Sequence, residues 1–185
     1  GFLTGVGLKV PAGEAGRPVL QQVWARPSCE IHGIWGGYTD PGFKTVIPCE
    51  AHAKVSFRLV AGQEPEKIRT NFLAHVRSRL PEDCTVTFED HGLAPAWAMD
   101  PSNRFLAPTL DALAAEWGRS TTCGTGGSIP IIGALKDALG VDALLVGFGR
   151  FDNRIHSPNE KYDLSSFRGG MRSWVRIIER LATCK

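Results

Sequence analysis

The sequence has almost no net charge, no long apolar run and few cysteines, and each shortage excludes a class of protein. Its 21 Lys+Arg against 19 Asp+Glu leave a formal charge of +2, so there is no basic excess to make the concentrated positive face that a nucleic acid requires. No apolar stretch approaches the roughly 18 residues of a membrane span. The five cysteines include no C-x-x-C pair, their number is odd and their spacing is wide. A zinc knuckle or disulfide framework therefore fits poorly, and free thiols in a reducing cytoplasm fit well. An initiator Met and a signal-peptide pattern are also missing: the chain starts Gly-Phe-Leu-Thr, from which we expect further sequence upstream. What remains is ordinary. With 43% hydrophobic and 22% charged residues, the composition excludes disorder, collagen and a long coiled coil. A length of 185 residues can hold one large domain or two small ones.

Hydrophobic rhythm divides the chain. Residues 1–23 are Gly-rich and read as an incomplete upstream segment. A short strand pattern runs from Cys29 to Ile34 and is closed by Gly36-Gly37. In Ala51–Val60, Ala53, Val55, Phe57 and Leu59 alternate with Lys54, Ser56 and Arg58, the period-2 signature of a half-buried strand with Arg58 on its polar face. Ile68, Phe72, Val76 and Leu80 then recur every fourth residue between Pro65 and Pro81, which predicts an amphipathic helix. Thr85–Phe88 alternates again. Residues 24–92 thus read as a small α+β layer, and the Pro- and Gly-punctuated stretch near residues 91–103 as a boundary. Residues 93–185 have α/β rhythm: a helix through Leu106–Trp117 closed by Gly118, a Gly-rich turn into a helix Ile129–Leu139, a buried-strand pattern at Ala143–Val146, and a loop to Asp163. A last helix is expected with Phe167, Met171, Trp174, Ile178 and Leu181 on its core face.

Three places offer chemistry. Gly126-Gly127-Ser128-Ile129-Pro130 is either a tight turn capped by Ser128 or a backbone cradle for a carboxylate or phosphate. It is not a P-loop, because no Lys-Ser/Thr follows the glycines. His156-Ser-Pro-Asn-Glu160 follows a buried-strand pattern, where open α/β sheets place ligands. His156 is there either one metal ligand or a surface histidine, and a zinc site needs at least three protein ligands. Arg58 is either part of a solvated face or a bidentate fork for a carboxylate.

In order, the motifs His32-Gly-Ile-x-Gly-Gly37, Pro41-Gly-x-Lys-Thr-Val-Ile-Pro48, Val55-Ser-Phe-Arg-Leu-Val60, Gly126-Gly-Ser-Ile-Pro130 and His156-Ser-Pro-Asn-Glu160 resemble the C-terminal part of a two-zinc hydrolase of the aminoacylase, carboxypeptidase and dipeptidase superfamily. The likeness is greatest to the cytosolic non-specific dipeptidase (carnosinase-like) branch and runs from about residue 24 to the end. One stretch departs from that branch: Cys123-Gly-Thr-Gly126 stands where an Arg-Glu-Gly-like approach to the glycines is expected.

The resemblance implies a zinc-peptidase α/β catalytic domain with an inserted α+β lid that also dimerises. Residues 24–92 would be the second half of the lid and 93–185 the closing part of the catalytic domain. It implies His156 as a metal ligand, Arg58 with Gly127 and Ser128 as holders of the substrate carboxylate, and Thr45 as a residue reaching into the partner subunit's site. No catalytic residue is expected within the chain, because the general-base Glu belongs to an upstream motif. Two Zn2+ per complete subunit are expected, with Mn2+ or Co2+ as alternatives. The implied activity is hydrolysis of the amide bond in dipeptides or small substrates with a free carboxylate, in the cytoplasm and by a homodimer. Neither nucleic acid nor membrane is an expected partner. A deacylase of N-acyl amino acids and a non-catalytic dimerisation fragment are the alternatives, and the 185-residue chain is expected to be inactive alone.

Overall fold

The computed structural model describes residues 2–126 and 129–184. Two short helices open the chain: α1 (Phe2–Gly5) lies within the Gly-rich segment read as incomplete, and α2 (Val19–Ala25) runs just past its end. Strands β1 (Ser28–Gly36) and β2 (Ala51–Arg58) follow, then α3 (Pro65–Arg77), α4 (Leu106–Trp117), α5 (Pro130–Leu139), a 3₁₀ turn at Phe151–Asn153 and α6 (Leu164–Ala182). The chain divides into two compact units, one of residues 1–98 and 124–137, the other of residues 99–123 and 138–185.

In the first unit β1 and β2 pair antiparallel, Ser28 opposite Arg58 and Gly36 opposite Ala51, with a bulge between Ile31 and Gly33. Opposed residues share a face. Ser28, Glu30, Gly33 and Trp35 therefore lie with Arg58, Ser56, Lys54 and His52, while Cys29, Ile31 and Ile34 lie with Phe57, Val55 and Ala53. The bulge sets two residues against one and turns His32 to the polar side beside Gly33. On the apolar side Phe57 meets Phe72 of α3 edge to face, with ring centroids 5.0 Å apart. Pro65 opens α3, where a missing N–H costs nothing. The helix stops at Arg77, one turn before Pro81, with the Ser78 N–H donating to Ala74 O.

Two expected strands do not form. Thr85–Phe88 and Ala143–Val146 have no ladder, because β1 and β2 are the only strands of the sheet among the described residues and an extended segment needs a neighbour for its backbone hydrogen bonds. The first is tied to α3 by its side chains instead. Arg77 lies over the Phe88 ring at 5.2 Å, and Arg69 Nε meets Asp90 Oδ2 at 2.5 Å. The second is half-buried apart from the exposed Leu145, and its apolar run meets no sheet among the described residues.

The second unit is built on the packing of α4 against α6. Gly118, at φ 81°, caps α4 and returns its N–H to Ala114 O. On α6 the buried residues are Ile177 and the small Ser166, Gly169, Gly170 and Ser173, whose size lets the helix be approached closely. A Cβ on Gly169 would sit 2.6 Å from the Trp117 ring, and one on Gly170 would sit 2.9 Å from Phe148. This corrects the expected core face. Phe167, Met171, Trp174 and Ile178 are 45–64% exposed, because Gly169 and Ser173, not these large side chains, face Trp117 of α4.

Candidate functional site

Arg58 ends β2 and is exposed. It shares its face with Lys54 and Ser56, as the alternation requires, and has Ser28 across the ladder. Thr45 lies in the β1–β2 loop, at the centre of a tight turn in which Val46 N donates to Lys44 O at 2.9 Å. That loop is open to solvent, and Phe43 and Ile47 beside Thr45 are 90% and 95% exposed. The loop that carries Thr45 enters β2 at Ala51, while Arg58 closes the strand at its other end, about 23 Å along at 3.3 Å per residue.

The face between them holds groups that the alternation alone did not single out. The His52 imidazole stacks on Trp35, centroids 5.1 Å apart and planes 10° apart. Lys54 Nζ lies 5.6 Å from the Trp35 ring centre, and Glu50 is 3.3 Å from His52 Nε2. Trp35, His52, Lys44 and Glu50 line a concavity of about 350 Å³ under the Thr45 loop. Further along, His32 Nε2 and Ser56 Oγ are hydrogen-bonded at 2.5 Å. A sequence signal for this bulge existed: Ile31 and Ile34 are three apart, which strict alternation cannot place on one face.

Gly127 and Ser128 lie outside the described residues. The approach to them is described. A Cβ on Gly124 would fall 2.9 Å from Trp24 O and one on Gly126 would fall 3.0 Å from Val23 O, so these glycines let the turn run against the end of α2.

His156 belongs to the second unit and is exposed. Its loop is held in an unusual backbone form. Arg154, His156 and Asn159 all have positive φ, 56°, 61° and 61°, a conformation that costs a non-glycine residue about 1–3 kcal/mol and persists only where surroundings impose it. The surroundings are visible. The His156 N–H donates to Glu160 Oε2 at 3.3 Å, Ser157 N to Arg154 O at 3.0 Å, and Lys161 N to Asn153 O at 3.0 Å. Lys161 Nζ clamps the base of the loop, 2.7 Å from Asp152 and 3.3 Å from Asp163. The Lys161 hydrogen bond holds the Asp152 carboxyl below its ordinary value, and Asp152 in turn raises the ammonium. Beside the loop, Asn153, Ile155, Glu160 and Tyr162 line an open concavity of about 570 Å³.

No group of three His, Cys, Asp or Glu side chains is gathered among the described residues to hold a metal ion. One imidazole falls short of the three protein ligands of a catalytic zinc site. The residues present therefore do not make a metal centre by themselves, and no chemical step is derived through one.

Comparison with known proteins agrees with the motifs. Residues 8–84 match the M20 peptidase dimerisation domain. The chain is 33% identical over 167 residues to Cys-Gly metallodipeptidase DUG1 of Saccharomyces cerevisiae, covering 87% of this chain and 34% of that protein. It is 28% identical over 171 residues to Beta-Ala-His dipeptidase of Rattus norvegicus, covering 89% of this chain and 34% of that protein. The solved structure of the di-peptidase Dug1p from Saccharomyces cerevisiae superposes with a TM-score of 0.79 at 30% identity, over 97% of this chain and 38% of that one. The chain thus spans about a third of the length of these relatives. The resemblance read from the five motifs is borne out.

Proposed function

We propose, for a chain homologous to M20-type metallodipeptidases, that the protein containing it is a metal-dependent dipeptidase. The carrying observation is the 33% identity with a Cys-Gly metallodipeptidase along 87% of the chain. In this reading residues 24–92 are the second half of a dimerising lid and 93–185 the return of the catalytic domain. Arg58 takes the substrate's free carboxylate as a bidentate fork, assisted by the backbone and hydroxyl of Gly127-Ser128. Holding one end of a small substrate fixes where its amide lies, and such positioning supplies much of the rate. Thr45, in the exposed loop that enters β2 at the end opposite Arg58, is assigned to the site of a partner subunit in a homodimer. His156 contributes one imidazole toward a metal whose other ligands, together with the general-base Glu, must come from residues outside this chain. We propose zinc, two ions per complete subunit, with Mn2+ or Co2+ as the alternatives.

The cytoplasm is the proposed compartment, supported by five cysteines that are all unpaired. No helix among the described residues is long and apolar enough to cross a membrane. Deacylation of N-acyl amino acids is the second reading, and Arg58 favours it equally, because those substrates also carry a free carboxylate.

The test is turnover by the purified full-length protein after chelator treatment and metal reloading. Dipeptides such as Cys-Gly should be cleaved and N-acetyl amino acids spared, with activity lost on chelation and regained with metal. Cleavage of N-acetyl amino acids alone would transfer the assignment to the deacylases. Turnover of neither substrate would leave the dimerisation fragment.

A further inference from the structure

His32 occupies the β-bulge between Ile31 and Gly33, and bulges commonly re-aim a side chain beside a functional site. Its Nε2 is hydrogen-bonded to Ser56 Oγ at 2.5 Å. Ser56 is half-buried and stands two residues before Arg58 on the same strand face, so their Cα atoms are about 7 Å apart. Lys54 and Arg58 flank it on that face, with Glu30 across the ladder. A serine hydroxyl has one proton and two lone pairs. If Nε2–H donates to Oγ, the hydroxyl proton is released to point at an anion, and the chain of two hydrogen bonds strengthens both.

We propose that His32 is a positioning residue: it donates through Nε2–H to Ser56 and so aims the Ser56 hydroxyl at the substrate carboxylate held by Arg58. The inference rests on the dipeptidase reading and extends its carboxylate site by Ser56, in contact with substrate, and His32, acting through it.

The experiment uses the full-length, metal-loaded protein with His32→Ala, His32→Gln, Ser56→Ala and the double variant His32→Ala/Ser56→Ala. Each is assayed on a dipeptide and on the same dipeptide as its C-terminal amide. His32→Ala and Ser56→Ala should each raise KM for the dipeptide about tenfold, the loss expected for one hydrogen bond to a charged group, with kcat little changed. The double variant should be no worse than either single one. Neither change should move KM for the amide, and His32→Gln, which keeps a donor near the Nε2 position, should restore most of the loss. Equal damage to acid and amide, additive losses, or a Gln variant as poor as Ala would overturn the proposal and make the pair a fold-stabilising contact. Ser56→Ala, a small truncation, carries the test if His32→Ala fails to fold.

A second arm separates this inference from the functional reading. Equilibrium binding of the dipeptide and its amide to chelator-treated protein needs no turnover. Wild type that cleaves nothing overturns the dipeptidase reading. Loss of dipeptide affinity in Ser56→Ala and His32→Ala with unchanged amide affinity still upholds the carboxylate site, and unchanged affinity for both ligands overturns it.

Discussion

The indole Nε1–H of Trp117 donates to Ser173 Oγ at 2.8 Å, and the Ser173 hydroxyl in turn donates to Gly169 O at 2.8 Å. Ser173 is fully buried, so this two-bond chain joins α4 to α6 at the point of closest approach. Ser173→Ala leaves the Trp117 N–H without its acceptor and should destabilise the fold by about 1–3 kcal/mol. Gly169→Ala should do at least comparable damage, because its methyl would collide with the same indole ring. Urea unfolding followed by tryptophan fluorescence measures both. In a Trp117→Phe background the cost of Ser173→Ala should shrink, since the donor is gone; an unchanged cost counts against the coupling.

The same helix pair carries an acid-sensitive contact. Glu116, whose side chain is only 10% exposed, receives Arg172 Nη2 at 2.5 Å and Arg176 Nε at 3.4 Å. The Arg172 hydrogen bond is the main cause holding the Glu116 carboxyl below its ordinary value of 4.5. A carboxyl with a depressed folded pKa takes up protons more readily when unfolded. Its contribution is therefore complete above the unfolded value and is lost as pH falls through the folded one. Stability measured from neutrality down through about pH 3 should fall less steeply in Glu116→Gln than in wild type. Parallel curves would remove Glu116 from the acid response.

How much of this was legible in the residues depends on whether one segment or two decided the outcome. The Ala51–Arg58 strand, α3, α4, α5 and α6 follow from local period and punctuation, and all appear near their expected positions. Thr85–Phe88 and Ala143–Val146 also have strand patterns but pair with no neighbour among the described residues, and a local pattern cannot report that. The face of α6 was misjudged for a related reason. Hydrophobicity points to Phe167, Met171, Trp174 and Ile178, whereas close approach to Trp117 is decided by the volume of Gly169, Gly170 and Ser173. At the candidate site the motif residues Arg58, Thr45 and His156 could be named from sequence. The His32–Ser56 contact needs more than the Ile31 and Ile34 spacing that hints at the bulge: it depends on the register of β1 against β2, which no single segment reports.

The assignment of Thr45 to the partner's site and of Arg58 to its own predicts complementation between subunits. If one site uses Arg58 of one chain and Thr45 of its partner, Thr45→Ala and Arg58→Ala proteins are each impaired, Arg58→Ala by about 10- to 100-fold in kcat/KM. A mixed dimer then contains one site with neither substitution and one with both. Random mixing by co-expression should restore about a quarter of wild-type activity, since half the dimers are mixed and half their sites intact. Recovery no greater than the average of the two parents would place both residues in one chain's site or in none.

In the proposed reading His156 is the side chain through which this chain meets the metal, and its loop already has a fixed backbone form. Three positive-φ residues between Arg154 and Asn159 are held by Glu160 and by the Lys161 bridges to Asp152 and Asp163. Lys161→Met should release the base of the loop while leaving the imidazole in place, so hydrogen exchange at Ser157 and Glu160 should accelerate. In the full-length protein both Lys161→Met and His156→Ala should weaken metal retention on dialysis, His156→Ala more, because it deletes a ligand and Lys161→Met only its orientation; supporting contacts of this kind are typically worth about 10- to 100-fold in affinity. The 185-residue chain should behave differently: zinc titration should give only weak binding that His156→Ala reduces, and dipeptide hydrolysis should be negligible. Tight zinc binding by the chain, indifferent to His156, would mean that the metal is held by residues other than those the motifs single out.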